Sequence, residues 1–483
     1  MSNSPLVLPP ILIPRAAQRS KSRDNTAAFI WDRAIYYFSV FFPLVASIVV
    51  FQIFFVNEST ASLSSTLGKL IFASKFIWLG SLLISVTNII GLMRYGSPMQ
   101  TDVENLREFK RTKWNKSKQL IVVYVSRGDN HEALGRALKH SLKVLDEFEV
   151  NYRVDIVTDI PVSQRLEKFL HSRFHVVPHS YFTSRYAKYK ARALHYLVEH
   201  RSKFTSEVSF KDTWLLHLDE ESLITPECLA GIAKFIKNPR NFQAIGQGEI
   251  KYNSHDYGKN LLLTAVDSVR TGDDLGRFRF QYKWLERPIF GMHGSYILVP
   301  ESIEKSLGFD LGGRGSITED AYFALHASER GYKFRWVEGF IREQSPFTIA
   351  AIIRQRRRWY CGLSLLAFDR GLKFKTRFFL MLNTVLWTIG WLGPIITVIN
   401  FCVPYAYSPQ LLTLIAAAIQ GAYVSVYMVG AYRGTISSDV SNVRKLLIYL
   451  TAFLFTPLSS AIEGAGVLYG IVRPVKTFDV VRK

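Results

Sequence analysis

The chain has 483 residues, with 60 Lys and Arg against 39 Asp and Glu, a net charge of +21. It is also 48% hydrophobic, which excludes a disordered basic protein. Its three cysteines, Cys228, Cys361 and Cys402, lie far apart, which excludes a disulfide scaffold and gives no zinc-site spacing.

The first 33 residues are Pro-rich, with Arg15, Arg19, Lys21 and Arg23 ahead of any apolar run. They read as a basic flexible arm, not a secretory signal. Segments 34–56 and 70–92 follow, each apolar and long enough to cross about 30 Å of hydrocarbon. Three more lie after a polar block, at 378–403, 411–432 and 446–472. The last contains Pro457 and Glu463, so it is expected to be broken or re-entrant.

The charge partition agrees with this. The five stretches flanking the apolar segments carry +19, while residues 119–341 carry only +2. Basic flanks of this kind mark the cytoplasmic side and put the block 94–377 there. They are also drawn to anionic lipid, so a lipid bilayer is a partner. A near-neutral block makes nucleic acid an unsuitable one. The side holding the tail 473–483 stays open. Asn57-Glu58-Ser59, in the connection 57–69, is a formal glycosylation sequon facing the other side.

Residues 119–341 alternate strands and helices. Strands are predicted at 119–125, 152–158, 175–177 and 213–218, with helices at 130–146, 162–171 and 189–200. This alternation predicts a mostly parallel sheet covered on both faces. In such sheets ligands bind beyond the carboxyl ends of the strands. Asp129, Asp159 and Asp219-Glu220-Glu221 follow three of these strands. A lone strand-end Asp is commonly a turn former. Three consecutive acids instead suit a bound cation, Mg²⁺ or Mn²⁺ with oxygen ligands.

Ser316-Ile317-Thr318-Glu319-Asp320 precedes a helical run. Ser316 and Glu319 fit a capping box, which leaves Asp320 unexplained. In the first helical turn the macrodipole would hold Asp320 ionised, as suits a base. Ser345 and Pro346 predict the start of another helix. On it Gln355, Arg358 and Trp359 share one face. That helix reads either as an interfacial amphipathic helix or as a diphosphate grip with a sugar-stacking ring.

Taken in order, Asp159, Asp219-Glu220-Glu221, Thr318-Glu319-Asp320 and Gln355-x-x-Arg358-Trp359 resemble the motifs of family 2 glycosyltransferases. Longer strings, including His217-Leu-Asp-Glu-Glu221, Gly246-Gln-Gly248, Ser345-Pro-Phe-Thr348 and Gln355-Arg-x-Arg-Trp359, resemble the egghead-type β-1,4-mannosyltransferases. The resemblance covers roughly residues 119–365. It implies an α/β GT-A (Rossmann-like) domain over 94–345 and an interfacial helix region over 346–377. Two transmembrane helices over 34–93 and three segments over 378–472 complete the multi-pass arrangement.

The resemblance also implies roles. Asp129 and Asp159 would lie against the donor nucleoside, and Lys190 near the diphosphate, with Tyr189 where the family has glycine. Asp219 and Glu221 would hold the metal, and Asp320 would be the base. Gln355 and Arg358 would grip the diphosphate, with Trp359 and Glu319 on the acceptor side. The implied reaction is inverting, metal-dependent transfer of a hexose, mannose from GDP-mannose, onto a lipid-linked or glycan acceptor such as glucosylceramide. The implied location is the ER/Golgi membrane in a eukaryote or the plasma membrane in a bacterium. A processive β-glycan synthase shares these motifs but needs a polar path through its spans. A transporter using Glu463 would not need the acids at successive strand ends.

Overall fold

The computed structural model describes residues 22–162, 171–201, 213–252, 260–436, 438 and 440–475. Its centre is a seven-stranded sheet. The strands are β1 (Gln119–Ser126), β2 (Tyr152–Thr158), β3 (Ser172–Val176), β4 (Thr213–Asp219), β5 (Ala244–Lys251), β6 (Ile297–Pro300) and β7 (Lys333–Arg342). Their order is β3-β2-β1-β4-β6-β5-β7. β3, β2, β1 and β4 run parallel, and β5 runs parallel to β7. β6 is antiparallel to both β4 and β5, so the sheet is mixed.

The apolar run of β1 shows why both faces are covered. Leu120, Val122 and Tyr124 enter one core cluster, whereas Ile121, Val123 and Val125 enter another. This is the two-residue period of a strand buried on both sides. The helix predicted at 130–146 is His131–Glu147, and the one predicted at 189–200 is Tyr189–Arg201. The helix expected at 162–171 falls almost wholly outside the described residues.

The reversed strand matters for the site. Because β6 is antiparallel, the residues leading into it, His293-Gly294-Ser295, reach the same edge as the carboxyl ends of β1, β2, β4 and β7. Ser295 Oγ accepts from Asp219 N at 3.3 Å.

Among the described residues, four helices are long and apolar enough to cross a membrane: Thr26–Phe54, Thr66–Tyr95, Phe374–Cys402 and Gln410–Ile436. Their exposed faces carry large apolar side chains such as Phe54, Leu70, Phe401 and Leu411. The first helix starts at Ser22, so residues 22–33, expected within a flexible arm, are helical. The expected fifth segment is a pair, Asn442–Leu454 and Thr456–Val472, bent by 64°. Pro457 opens its second half, where its missing N–H costs nothing.

At one end of these helices Asn57 pairs with Ser408, and Lys75 Nζ donates to the carbonyls of Ala406 and Tyr407. At the other end the sheet domain is anchored. Asn88 Nδ2 donates to Asp273 Oδ1 at 2.9 Å and Asn88 Oδ1 accepts from Arg277 N at 2.8 Å. Arg433 reaches Glu249 Oε2 at 2.7 Å and Asp102 Oδ2 at 3.0 Å.

Candidate active site

A cavity of about 440 Å³ opens at the strand-end edge of the sheet. Asp159, Lys190, Asp219, Glu221, Glu319, Asp320, Gln355, Arg358 and Trp359 all line it. Residues separated by up to 200 positions in sequence thus share one wall. Asp129 is not among the lining residues. It pairs loosely with Arg127 at 3.9 Å, and Arg127 takes the place on the wall. Asp159 accepts from Arg192 Nη2 at 2.7 Å.

The acids after β4 divide by orientation. Glu220 accepts from Ser126 Oγ and, at 3.0 Å, from Asn130 Nδ2. Asp219 and Glu221 are joined instead by Glu343, with one oxygen of each lying within 4.8 Å of the others. Glu221 and Glu343 are buried, and Ser222 Oγ donates to Glu343 Oε1 at 2.7 Å. Three carboxylates converging in a largely buried place repel one another unless a cation lies between them. An all-oxygen set fits a hard divalent cation such as Mg²⁺ or Mn²⁺. Glu343 was missed from sequence, although it follows β7 as Asp159 follows β2. The strand-end rule would have found it.

Lys190 lies between this set and the next. Its Nζ is 2.5 Å from Asp219 Oδ1, 2.9 Å from the Gly294 carbonyl and 3.5 Å from Glu319 Oε1. Burial alone would lower its pKa, but Asp219 and Glu319 outweigh that and hold the ammonium charged. Tyr189 adopts the left-handed region, with φ +52°. This is the conformation that a glycine at that position would take without cost.

Glu319 and Asp320 open the helix Glu319–Glu329. The expected capping box is not formed. Thr318 is the N-cap residue, while Ser316 Oγ donates to the Gly312 carbonyl at 2.6 Å and accepts from Lys188 N at 2.8 Å. At Asp320 the shift runs opposite to the one expected from the macrodipole. Burial is the largest influence and pushes the Asp320 carboxyl above its ordinary value, against the pull of Lys190. Burial raises Glu319 as well, to about 7.

The motif helix runs Ile349–Ala367. Its N-cap is Thr348, which accepts from Ala351 N at 3.2 Å, not Ser345 as the sequence predicts. Ser345 Oγ instead donates to Asp267. Gln355, Arg358 and Trp359 nevertheless share the face turned to the cavity.

Two further groups on the wall carried no sequence signal. The Arg270 guanidinium lies 3.4 Å from the Tyr252 ring centre and 4.8 Å from that of Trp359. His293 Nε2 is 2.5 Å from Asp274 Oδ1. Burial would lower the His293 pKa, but Asp274 more than reverses it. Asp274 starts a short π-helical segment, Asp274–Phe278, a widening often found at functional sites.

Residues 214–433 match the family described as "Glycosyl transferase family group 2". The chain is 32% identical over 367 residues to the β-1,4-mannosyltransferase egh of Drosophila melanogaster, covering 75% of this chain and 78% of that protein. It is 32% identical over 340 residues to the β-1,4-mannosyltransferase bre-3 of Caenorhabditis elegans, covering 69% and 71%. Among solved structures, the mannosyltransferase PcManGT from Pyrobaculum calidifontis, in complex with GDP-Man and Mn²⁺, aligns at 13% identity with a TM-score of 0.39. That alignment covers 82% of this chain and 99% of the other. With this identity across most of both chains, the protein is a hexosyltransferase that belongs to family 2 of the glycosyltransferases, among the egghead-type β-1,4-mannosyltransferases.

Proposed function

We propose that the protein transfers mannose from GDP-mannose, with inversion, in β-1,4 linkage onto a membrane glycolipid such as glucosylceramide. One observation carries this reading. A three-carboxylate set and the neighbouring carboxyls of Glu319 and Asp320 face one cavity, joined by Lys190 and walled by the Gln355–Trp359 face.

Asp219, Glu221 and Glu343 would hold a divalent cation. When bound, it supplies positive charge beside the diphosphate leaving group. Lys190 and Arg358 add fixed positive charge on the same wall. Arg127 and Asp159 follow the carboxyl ends of β1 and β2, where the nucleoside of a donor would extend. Asp320 takes the proton from the acceptor hydroxyl as that oxygen attacks the anomeric carbon. The bond from that carbon to the diphosphate oxygen breaks, and GDP leaves with the electron pair. A single displacement turns an α-linked donor into a β-linked product.

The placement of the cavity supports a lipid acceptor. The motif helix packs on the bent pair and on the span starting at Phe374, so the cavity lies beside the apolar helices. The basic flanks put this face in the cytosol.

Membranes containing the protein are incubated with labelled GDP-mannose and, separately, UDP-glucose and UDP-N-acetylglucosamine. The expected result is label in the lipid extract from GDP-mannose, with one hexose added by mass spectrometry. Label only from a UDP-sugar overturns the donor, and a ladder of products overturns single transfer.

A further inference from the structure

Glu463 is an acid in an otherwise apolar segment. Such a group is costly in a membrane and is retained where something uses it. Its Oε1 lies 2.5 Å from Arg356 Nε. Arg356 is the second residue of the Gln355–Trp359 motif, and its side chain is 2% exposed. It points away from the cavity, into the joint between the motif helix and the bent pair.

From there Arg356 holds two residues that do face the cavity. Its Nη1 donates to Gln355 Oε1 at 2.7 Å, and its guanidinium lies 4.5 Å from the centre of the Trp359 ring. Nη2 donates to Asp267 Oδ1 at 3.0 Å, and Asp267 Oδ2 is 3.4 Å from Arg270 Nη1. The two arginines therefore share Asp267, and Glu463 supplies the second negative charge. Without it, Arg356 and Arg270 both draw on one carboxylate.

The second helix of the bent pair, Thr456–Val472, is shaped for this contact. Glu463, Gly466 and Gly470 fall at i, i+3 and i+7, one face. A Cβ on Gly466 would come within 2.5 Å of Arg356 Cβ, and one on Gly470 within 2.8 Å of the Tyr360 ring. Glycines at this spacing let two helices approach closely.

We propose that Glu463 is a positioning residue for sugar transfer, acting through Arg356 to fix Gln355 and Trp359 on the cavity wall. This rests on the proposed function, in which those two residues meet donor and acceptor. It also gives Glu463 a use other than ion or proton movement across the bilayer.

The test is a double-mutant cycle of Glu463→Gln and Arg356→Met in the full-length protein, in detergent or in membranes. Rates are measured against acceptor, GDP-mannose and Mn²⁺. Glu463→Gln is expected to lower kcat/KM for acceptor by roughly 10- to 100-fold, as misplaced binding groups do, partly through a higher acceptor KM. The half-saturating Mn²⁺ concentration stays at the wild-type value, because the carboxylate set is untouched. In the Arg356→Met background, Glu463→Gln adds little further loss. Partial unfolding would reduce kcat alone and leave the acceptor KM in place. Where Glu463→Gln does not accumulate, Glu463→Asp, which keeps the charge and shortens the reach, replaces it and is expected to give an intermediate acceptor KM. Wild-type kinetics overturn the proposal, as do an unchanged acceptor KM or fully additive losses. If the wild type uses another nucleotide sugar, the donor assignment fails, and the same cycle read with that sugar still decides this point.

Discussion

Lys190 Nζ lies 2.5 Å from Asp219 Oδ1, so one acid of the proposed metal set already has a cation beside it. Lys190 also reaches Glu319 at 3.5 Å and lowers the pKa of Asp320. It therefore opposes metal binding electrostatically while stabilising charge on the donor and the base. Replacing it with methionine should separate these effects. Lys190→Met should lower the half-saturating Mn²⁺ concentration and still reduce kcat by roughly 10²-fold, the effect of removing one donor to developing charge. A titration of rate against Mn²⁺ checks both. A raised Mn²⁺ requirement would mean that Lys190 organises the acids instead of competing at them.

Asp320 opens a helix beside Gly294 and Lys190, with Glu319 next to it on the same wall. Asp320→Asn should reduce kcat by about 10²–10⁴-fold, the range for loss of a general base. The KM for GDP-mannose should move little, because no donor contact is removed. An active Asp320→Asn variant would pass the role to Glu319.

The same residue sets the pH dependence. Its carboxyl is raised above the ordinary 3.8, chiefly by burial. A base works only when ionised, so rate is lost as pH falls through that raised value. The acid limb of kcat/KM should lie above the usual aspartate range. Lys190 lowers this pKa, so Lys190→Met should move the limb to higher pH. A limb that stays in place in the variant would assign it to another group.

Glu343 and Glu220 give a paired comparison. Glu343 faces Asp219 and Glu221, whereas the Glu220 oxygens are held by Ser126 and Asn130. Chelation with EDTA should abolish transfer, and Mn²⁺ should restore it. Glu343→Gln should raise the half-saturating Mn²⁺ concentration at least roughly 10-fold, as losses at metal sites do. Glu220→Gln should move it far less. Equal shifts would place the cation elsewhere.

Much of this was legible in the sequence because strand signals are local. The apolar runs at 119–125, 152–158 and 213–218 became β1, β2 and β4, and their following residues fell at one edge. β6 was not legible. It has four residues, and its reversed direction depends on pairing with β4 and β5. That reversal brings His293 and Gly294 to the site. Hydroxyl partners were also beyond reach. The sequence predicts Ser345 as the cap, but the buried Asp267 claims its hydroxyl and Thr348 caps the helix instead. At Asp320 desolvation raises the carboxyl's pKa, an influence larger than a one-turn dipole field.

A contact bears on the side of the membrane proposed for residues 473–475. Arg357, on the motif helix, donates through Nε to the Arg473 carbonyl at 2.8 Å. The bent pair therefore leaves the end of the Gln410–Ile436 helix and returns to the level of the cavity. We propose four spans and a re-entrant pair, an arrangement that puts residues 473–475 on the face that holds the sheet domain. Arg473 then obeys the charge rule that a fifth full span would break. The Asn57–Ser408 pairing gathers the two short connections at the opposite end. An epitope tag after Lys483 should be digested by protease added to sealed, cytosol-side-out vesicles, together with the sheet domain. A tag inserted between Ser62 and Ser65 should be protected until detergent is added. Protection of the C-terminal tag would make the pair a fifth span and would require the Arg357–Arg473 contact to be absent in the membrane.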